Sequence, residues 1–437
     1  LPTPTTIKSL FRRTTMPTMM TTFQASRLLS CCIAFIFVTT SHGFSTPSTR
    51  RSALDQIKKL SFTPFVTLLL PPPNAIAADS TPISASWNAV DGLNTLDSQK
   101  NVVSFDKAAY QSMVSDQSRT PLFEQAIINR LKAAEGGPGS QVVLDLGTGP
   151  FAFFAVIAAK NGAGKVYAIE ASKEVAALAR ETVKKAGYED KITILEGLST
   201  DITLPEGAKA DFAVAEIVGS IASEEGAYAT IVDAHKRLVK NPSDPKSWIP
   251  NRMQTYAAPA SYSLHNLFSP PAFDWSKLSG EPVRFNCRDE GLQLLSDPVL
   301  VEDFSFADIE TTGVQKKDVT FTVDGSRVED NIKMFNDDYY KGKVPDAEKL
   351  AIKTANSVTG IALWPRLILD DTIEVNSRHF PDGDHQKSHW QTVLPIMAPE
   401  PVAVKGGDQI TVTFDFDVSS DVTKPASYKI SGNVVSV

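Results

Sequence analysis

A chain of 437 residues that is 42% hydrophobic and carries a formal net charge of −7 has the length for two or more globular domains and is too apolar to be disordered. The charge is uneven: residues 1–78 hold eight Lys/Arg against one acid, Asp55, a surplus of seven that leaves −14 on the rest. That remainder is a poor match for nucleic acid and a good one for a basic peptide. With Cys31 and Cys32 in the first stretch, the lone Cys287 can build neither a disulfide framework nor a cysteine metal site.

Residues 1–78 read as a targeting leader. Arg27 precedes an apolar core, Leu28 to Val38, too short to span a bilayer comfortably, and small residues with Phe44 follow. A second basic and apolar stretch runs to Ala75-Ile76-Ala77, which has the form of a cleavage site. The arrangement resembles the bipartite leaders of complex plastids, with thylakoid delivery as an extension; a plain secretory signal with a linker is the other reading. Residues 79–120 are expected to be irregular at first and helical from about Ser104, and a helix is expected over Leu122–Ala133, ended by Gly136-Gly137-Pro138-Gly139.

The stretch Val142–Ser172 then reads as strand, glycine turn, helix and strand. Val142-Val143-Leu144 leads into Asp145, the turn is Gly147-Thr148-Gly149-Pro150, and Val166-Tyr167-Ala168-Ile169 ends on Glu170. Glycine in the turn allows backbone to approach a ligand closely, and Glu170, 21 residues after Gly149, stands about where nucleotide-binding units place an acid on ribose hydroxyls. Two ligands fit the pattern, a dinucleotide and S-adenosylmethionine (AdoMet). Pro150 removes one N–H that a pyrophosphate would use, which favours AdoMet. Asp145 is a candidate support of the turn.

Ser172 and Gly187 cap a predicted helix, and strands are expected at Lys191–Leu195 and Asp211–Ala215. Alternating strands and helices over 121–249 predict a parallel sheet covered on both faces. From Trp248 strands dominate, with period-two runs such as Thr411 to Phe416, which predicts an antiparallel barrel or sandwich over 250–437. Residues 264–298 read as an irregular insertion and 329–356 as a polar, partly helical one. Glu216 stands at the end of the strand Asp211–Ala215, and Glu225 lies nine residues on. Two carboxylates facing each other call for a cation between them, and a planar guanidinium can meet both. Glu224, taken alone, reads as a solvated loop charge.

Together these motifs resemble those of the protein arginine methyltransferase family. Its motifs are matched by the VLDLGTG turn with Glu170, by the pair Glu216 and Glu225, by Ser388-His389-Trp390 where the family has Thr-His-Trp, and by Met113, Asp116 and Arg119 in its M-x-x-D-x-x-R helix. The resemblance covers residues 105–437. It implies a Rossmann-like α/β methyltransferase domain followed by an antiparallel β-barrel, AdoMet as cofactor, and methyl transfer to arginine of a basic protein substrate, with no metal and no nucleic acid. It implies that Arg119 clamps the AdoMet carboxylate, Met113 packs near the sulfonium, Asp201 meets the adenine amino group, His389 contacts Asp116, and Trp390 lines the substrate side. A homodimer through an arm at about 264–298 is implied as well. The small residues Gly219, Ser220 and Ala222 look closer to the symmetric and monomethylating subgroups. A small-molecule AdoMet methyltransferase and an inactive protein-binding relative are the alternatives.

Overall fold

The computed structural model describes residues 80–89, 107–268, 273–278, 280–286, 289–309, 314–378, 388–421 and 424–437; the expected leader lies outside them. The first element is a strand, β1 (Ser80–Asn88), where the sequence reading expected irregular chain. Its alternation puts Ile83, Ala85 and Trp87 inward, a period-two pattern short enough to be overlooked among Ser and Thr. Helices α1 (Lys107–Ser115) and α2 (Thr120–Lys132) follow, α2 starting two residues earlier than expected with Pro121 in its first turn.

The next part alternates strand and helix: β2 (Val142–Leu146), α3 (Phe153–Lys160), β3 (Lys165–Glu170), α4 (Lys173–Ala186), β4 (Ile192–Glu196), β5 (Phe212–Ala215), α5 (Ala227–Arg237) and β6 (Trp248–Ile249). The strands form one sheet in the order β4-β3-β2-β5-β6, and each neighbouring pair is parallel. Such a sheet needs apolar residues on both faces, which the runs in β2, β3 and β5 supply; Val143, Leu144, Val166, Ala168, Ala213 and Val214 are all buried. Ser172 caps α4 through the Val175 N–H, and Gly187 ends it in the left-handed conformation. The order reverses at β2, so β3 and β5 leave on opposite sides of it, and a crevice opens at the carboxyl ends of these strands.

The second part is antiparallel. Strands β7 (Arg252–Tyr262), β8 (Val283–Asn286), β9 (Leu292–Leu294), β10 (Val299–Ser305), β13 (Gly360–Ile368), β14 (Glu374–Asn376) and β15 (Gln391–Leu394) make one sheet, along the path β10-β7-β13-β15-β8. A second sheet has the order β1-β18-β17-β11, using β11 (Val314–Thr322), β17 (Gln409–Asp417) and β18 (Ser427–Val435). Inward residues of these strands, among them Phe414, Phe416, Tyr428 and Ile430, fill the space between the sheets. The small pair β12 (Ser357–Val358) and β16 (Val402–Ala403) stands apart.

The segment expected as an irregular arm is only partly so. It contributes a short helix, α6 (Ser263–Leu267), and two strands sewn into the larger sheet, β8 against β15 and β9 against β7. Apolar residues in β8 and β9 are few and short-spaced, and pairing partners distant in sequence supply the stability that local pattern does not. The expected polar insertion is helical: α7 (Gly325–Met334), a π-helical turn at Phe335–Tyr340 and α8 (Ala347–Ala355), closed by Tyr340, whose hydroxyl sits 2.9 Å from Thr354 Oγ1.

Candidate active site

The glycine turn after β2 is built by Asp145. Its Oδ2 accepts from Thr148 Oγ1 at 2.6 Å and from the Ala155 N–H at 3.1 Å, tying the turn to the start of α3. Burial pushes its pKa up to about 6 against these two hydrogen bonds. Asp145 thus sits behind the turn and shapes it, while Gly147 and Gly149 line the crevice. Gly147 has φ +72°, and a Cβ there would stand 2.8 Å from Ile217 Cγ2, so both conformation and space require glycine. Glu170, at the end of β3, lines the same crevice; its carboxylate accepts from Gly149 N at 3.0 Å and Ser172 N at 2.9 Å. These bonds fix the side chain across the turn and leave further lone pairs of the carboxylate free for a ligand.

Arg119 lies in the turn between α1 and α2. Far from being a helix-surface group, it is 4% exposed, its guanidinium lying over Phe123 and Phe154 with 5.6 Å and 5.2 Å to the ring centroids. It donates to Met113 O at 3.0 Å and to Glu216. Its Nε has no partner among the described residues, and neither does Thr200 Oγ1; both groups are buried on residues lining the crevice. Met113 lines it too, and Tyr110 of α1 lies beside Gly149.

The loop after β5 carries the glutamates. Glu216 leaves the strand end and pairs with Arg119, and both side chains are nearly inaccessible. Glu225 returns to the same cavity just before α5. Its pKa is pushed up to about 8 by burial first and then by the carboxylates of Glu216 and Glu224. Glu224 is not the solvated charge expected from the sequence. Its carboxylate meets the guanidinium of Arg284 on β8, with Arg284 Nη1 at 3.1 Å from Oε2, and its side chain is 8% exposed. The chain folds back this tightly at Gly219, where a Cβ would lie 2.8 Å from Glu224 Cβ and 3.2 Å from Glu225 Cγ.

The barrel supplies the opposite wall. His389 donates its backbone N–H to Asp116 Oδ2 at 2.8 Å, and its Nδ1 lies at the same distance from that oxygen. Ser118 satisfies the other oxygen through its N–H and hydroxyl. Burial opposes ionisation of Asp116, but the hydrogen bonds from His389 and Ser118 outweigh it and bring the pKa to about 2. Trp390 lines the cavity while its indole N–H donates to Val218 O at 2.8 Å, so it also holds the glutamate loop.

The result is one cavity of about 600 Å³, lined together by the glycine turn, Glu170, Glu216, Glu225, His389 and Trp390. No family model matches the chain. Over 330 residues, 71% of this chain, it is 28% identical to protein arginine N-methyltransferase 7 of Mus musculus, of which the match covers 45%. Over 243 residues it is 28% identical to the protein of that name in Gallus gallus, covering 54% of this chain and 32% of that one. A 186-residue match to protein arginine N-methyltransferase PRMT10 of Arabidopsis thaliana is 30% identical and covers 42% of this chain and 46% of that one. The chain is similar in sequence to protein arginine N-methyltransferases over part of their length. It spans about a third to a half of the length of these curated relatives.

The fold of this chain recurs in solved structures at 19% identity. One is the Trypanosoma brucei PRMT1 enzyme–prozyme heterotetrameric complex with AdoHcy, at TM-score 0.52, covering 71% of this chain and 88% of that one. Another is an open conformation of Arabidopsis thaliana protein arginine methyltransferase 10, at TM-score 0.51, covering 75% and 98%. Of the residues singled out from sequence, Asp201 is the one the structure moves away from the site. It is exposed, the tight turn at 198–201 points it outward, and Thr200 takes the lining position. Arg237 of α5 draws the carbonyls of Ser199, Thr200 and Ile202 inward and leaves Asp201 on its own side. Arg284 escaped the sequence reading because nothing near it in the chain marks it; its partner is 60 residues away.

Proposed function

We propose that the chain transfers the methyl group of AdoMet to a guanidinium nitrogen of arginine in a basic protein. The observation that carries this reading is the placement of Glu216 and Glu225 on one wall of the cavity that also holds the glycine turn and Glu170. The residues present fit AdoMet by their chemistry: a guanidinium (Arg119), a carboxylate with lone pairs left over (Glu170), a hydroxyl residue (Thr200) and an apolar thioether (Met113) all line one cavity with the glycine turn. Arg119 and Met113 would hold the methionine end, Glu170 the ribose and Thr200 the base region. When bound, AdoMet supplies an electrophilic methyl group on a sulfonium.

The protein's own part is alignment and charge. An arginine guanidinium is a delocalised cation and a poor nucleophile. Glu216 and Glu225 draw its positive charge toward two of its nitrogens and leave the third to face the methyl donor. Holding both partners in line can lower the barrier by about 7–11 kcal/mol. Burial and the neighbouring carboxylates oppose ionisation of Glu225, and a guanidinium beside it would offset both. Arg119 holds Glu216 in place through their ion pair. The Asp116–His389 contact fastens the barrel wall to the α1–α2 turn, closing the cavity beside the reacting groups.

The −14 charge outside the leader supports a basic substrate. We further propose a plastid destination through residues 1–78 and self-association into a homodimer, which sedimentation of the processed chain would test. The deciding experiment incubates the protein and AdoMet with an Arg-Gly or Arg-x-Arg peptide and reads the product by mass spectrometry. Methylated arginine is expected, and Glu216→Gln should abolish it while AdoMet binding persists. An unmodified peptide with a protein that binds AdoMet would overturn the arginine reading.

A further inference from the structure

The glutamate loop is held to the barrel by a buried carboxyl that the chemistry above does not use. Glu302, on β10, is 1% exposed. One of its oxygens accepts from Ser223 Oγ, the other from Thr255 Oγ1 on β7. Thr255 Oγ1 in turn accepts from the Ala222 N–H at 2.9 Å, and Ser223 Oγ lies 2.9 Å from the hydroxyl of Tyr428 on β18. Three barrel strands therefore converge on Ala222 and Ser223, the two residues immediately before Glu224 and Glu225.

The backbone is arranged to deliver this carboxyl. Strand β10 is bulged against β7: Leu300 pairs with Tyr256 and Glu302 with Thr255, so Val301 is an extra residue. The bulge breaks the in–out alternation, and Val301 and Glu302 are buried in succession. Without it, the parity that buries Val301 would turn the next side chain outward. A carboxyl buried in a barrel is costly unless donors meet it, and here the donors are one hydroxyl of the neighbouring strand and one of the loop.

We propose that Glu302 is a positioning residue for the acceptor site: it fixes Ser223, and through Ser223 the place of Glu225 opposite the AdoMet end. The inference rests on the methyl-transfer reading. Glu302 does not line the cavity, and its hydrogen bonds reach the site through the loop. Displacing a reacting group by about 1 Å can cost on the order of a hundredfold in rate, so a loosened loop shows in transfer and not in AdoMet binding.

The test compares Glu302→Gln, which keeps the volume, with Ser223→Ala, which removes the same contact from the loop side and leaves the barrel intact. Each should lower kcat/KM for an arginine peptide by about tenfold or more, with the AdoMet Kd within about twofold of the parent. The double variant should fall short of additivity, because the Ser223–Glu302 contact is common to both single ones. Hydrogen exchange of the amides at 220–226 should rise by about tenfold in both variants while strands β2, β3 and β5 keep their protection. Unchanged exchange in that loop overturns the proposal, as does a loss of AdoMet affinity in step with activity or full additivity in the double variant. If the parent itself leaves the peptide unmethylated, the functional reading fails, and the exchange measurement still decides the role of Glu302.

Discussion

At the scale of single residues, Glu225 is a carboxyl whose ionisation is opposed both by burial and by two neighbouring carboxylates. Glu225 titrates near 8 in the folded chain, above the ordinary 4.5. The folded state therefore holds a proton that the unfolded chain releases between these values. Stability is greatest below about pH 4.5 as far as this group is concerned, and is lost progressively as pH rises toward 8. Glu225→Gln cannot ionise and escapes the loss, so its melting temperature should exceed the parent's by an amount that grows from acid to neutral pH and levels off above 8. The same variant should not transfer methyl groups. In the parent, kcat/KM for the peptide should climb with pH through an inflection near 8, the pKa of Glu225 in the free protein. Calorimetric scans across pH beside a pH–rate profile check both; equal stabilities at pH 5 and 8 would refute the burial account. Glu224→Gln should not be silent either. It strands the Arg284 guanidinium in a mostly buried position, so a loss of about tenfold in kcat/KM is expected.

At the scale of elements, two glycines separate the two halves of the site. Gly147→Ala forces a Cβ into the left-handed turn and against Ile217, and should weaken AdoMet binding by about 1–3 kcal/mol. Gly219→Ala drives a Cβ against Glu224 and Glu225 and should spare AdoMet binding while lowering transfer about a hundredfold. Isothermal titration and single-turnover rates distinguish them; coincident losses would mean the two loops move as one. What could be read from the sequence follows the same division. The turn, Glu170, the caps Ser172 and Gly187 and the run of β2 are local patterns, each decided within a few residues. The partner of Glu224 lies 60 residues away on β8, and those of Glu302 lie 79 residues away in the loop and 47 away on β7, so neither leaves a local mark. Strand β1 was legible in principle through Ile83, Ala85 and Trp87, but its partner β18 lies at the far side of the sequence. Asp201 missed the site by one residue because a turn, unlike a helix or strand, has no period from which to count.

At the scale of the whole molecule, the first described strand is tied to the last one and to the site. Ser80 pairs with Val435 and Asn88 with Ser427. Trp87 stacks on Tyr428 at 5.4 Å, and the hydroxyl of that tyrosine meets Ser223. Trp87→Ala should cost about 3–5 kcal/mol and loosen the glutamate loop as well. Processing of the proposed leader must therefore stop short of Ser80. N-terminal sequencing of the native protein is expected to find a start at or before this residue. A native chain beginning beyond Asn88 would refute the requirement.

The pairing of β1 with β18 also sets an order of events. A ribosome or a translocation pore delivers residues 80–88 long before residues 427–435, and the sheet they share cannot close until the latter have emerged. The parallel sheet of residues 142–249 needs nothing from either of these strands and is free to condense in the meantime. Closing so long a loop of chain is entropically slow. The barrel thus has a built-in waiting time, set by the interval between the emergence of β1 and that of β18.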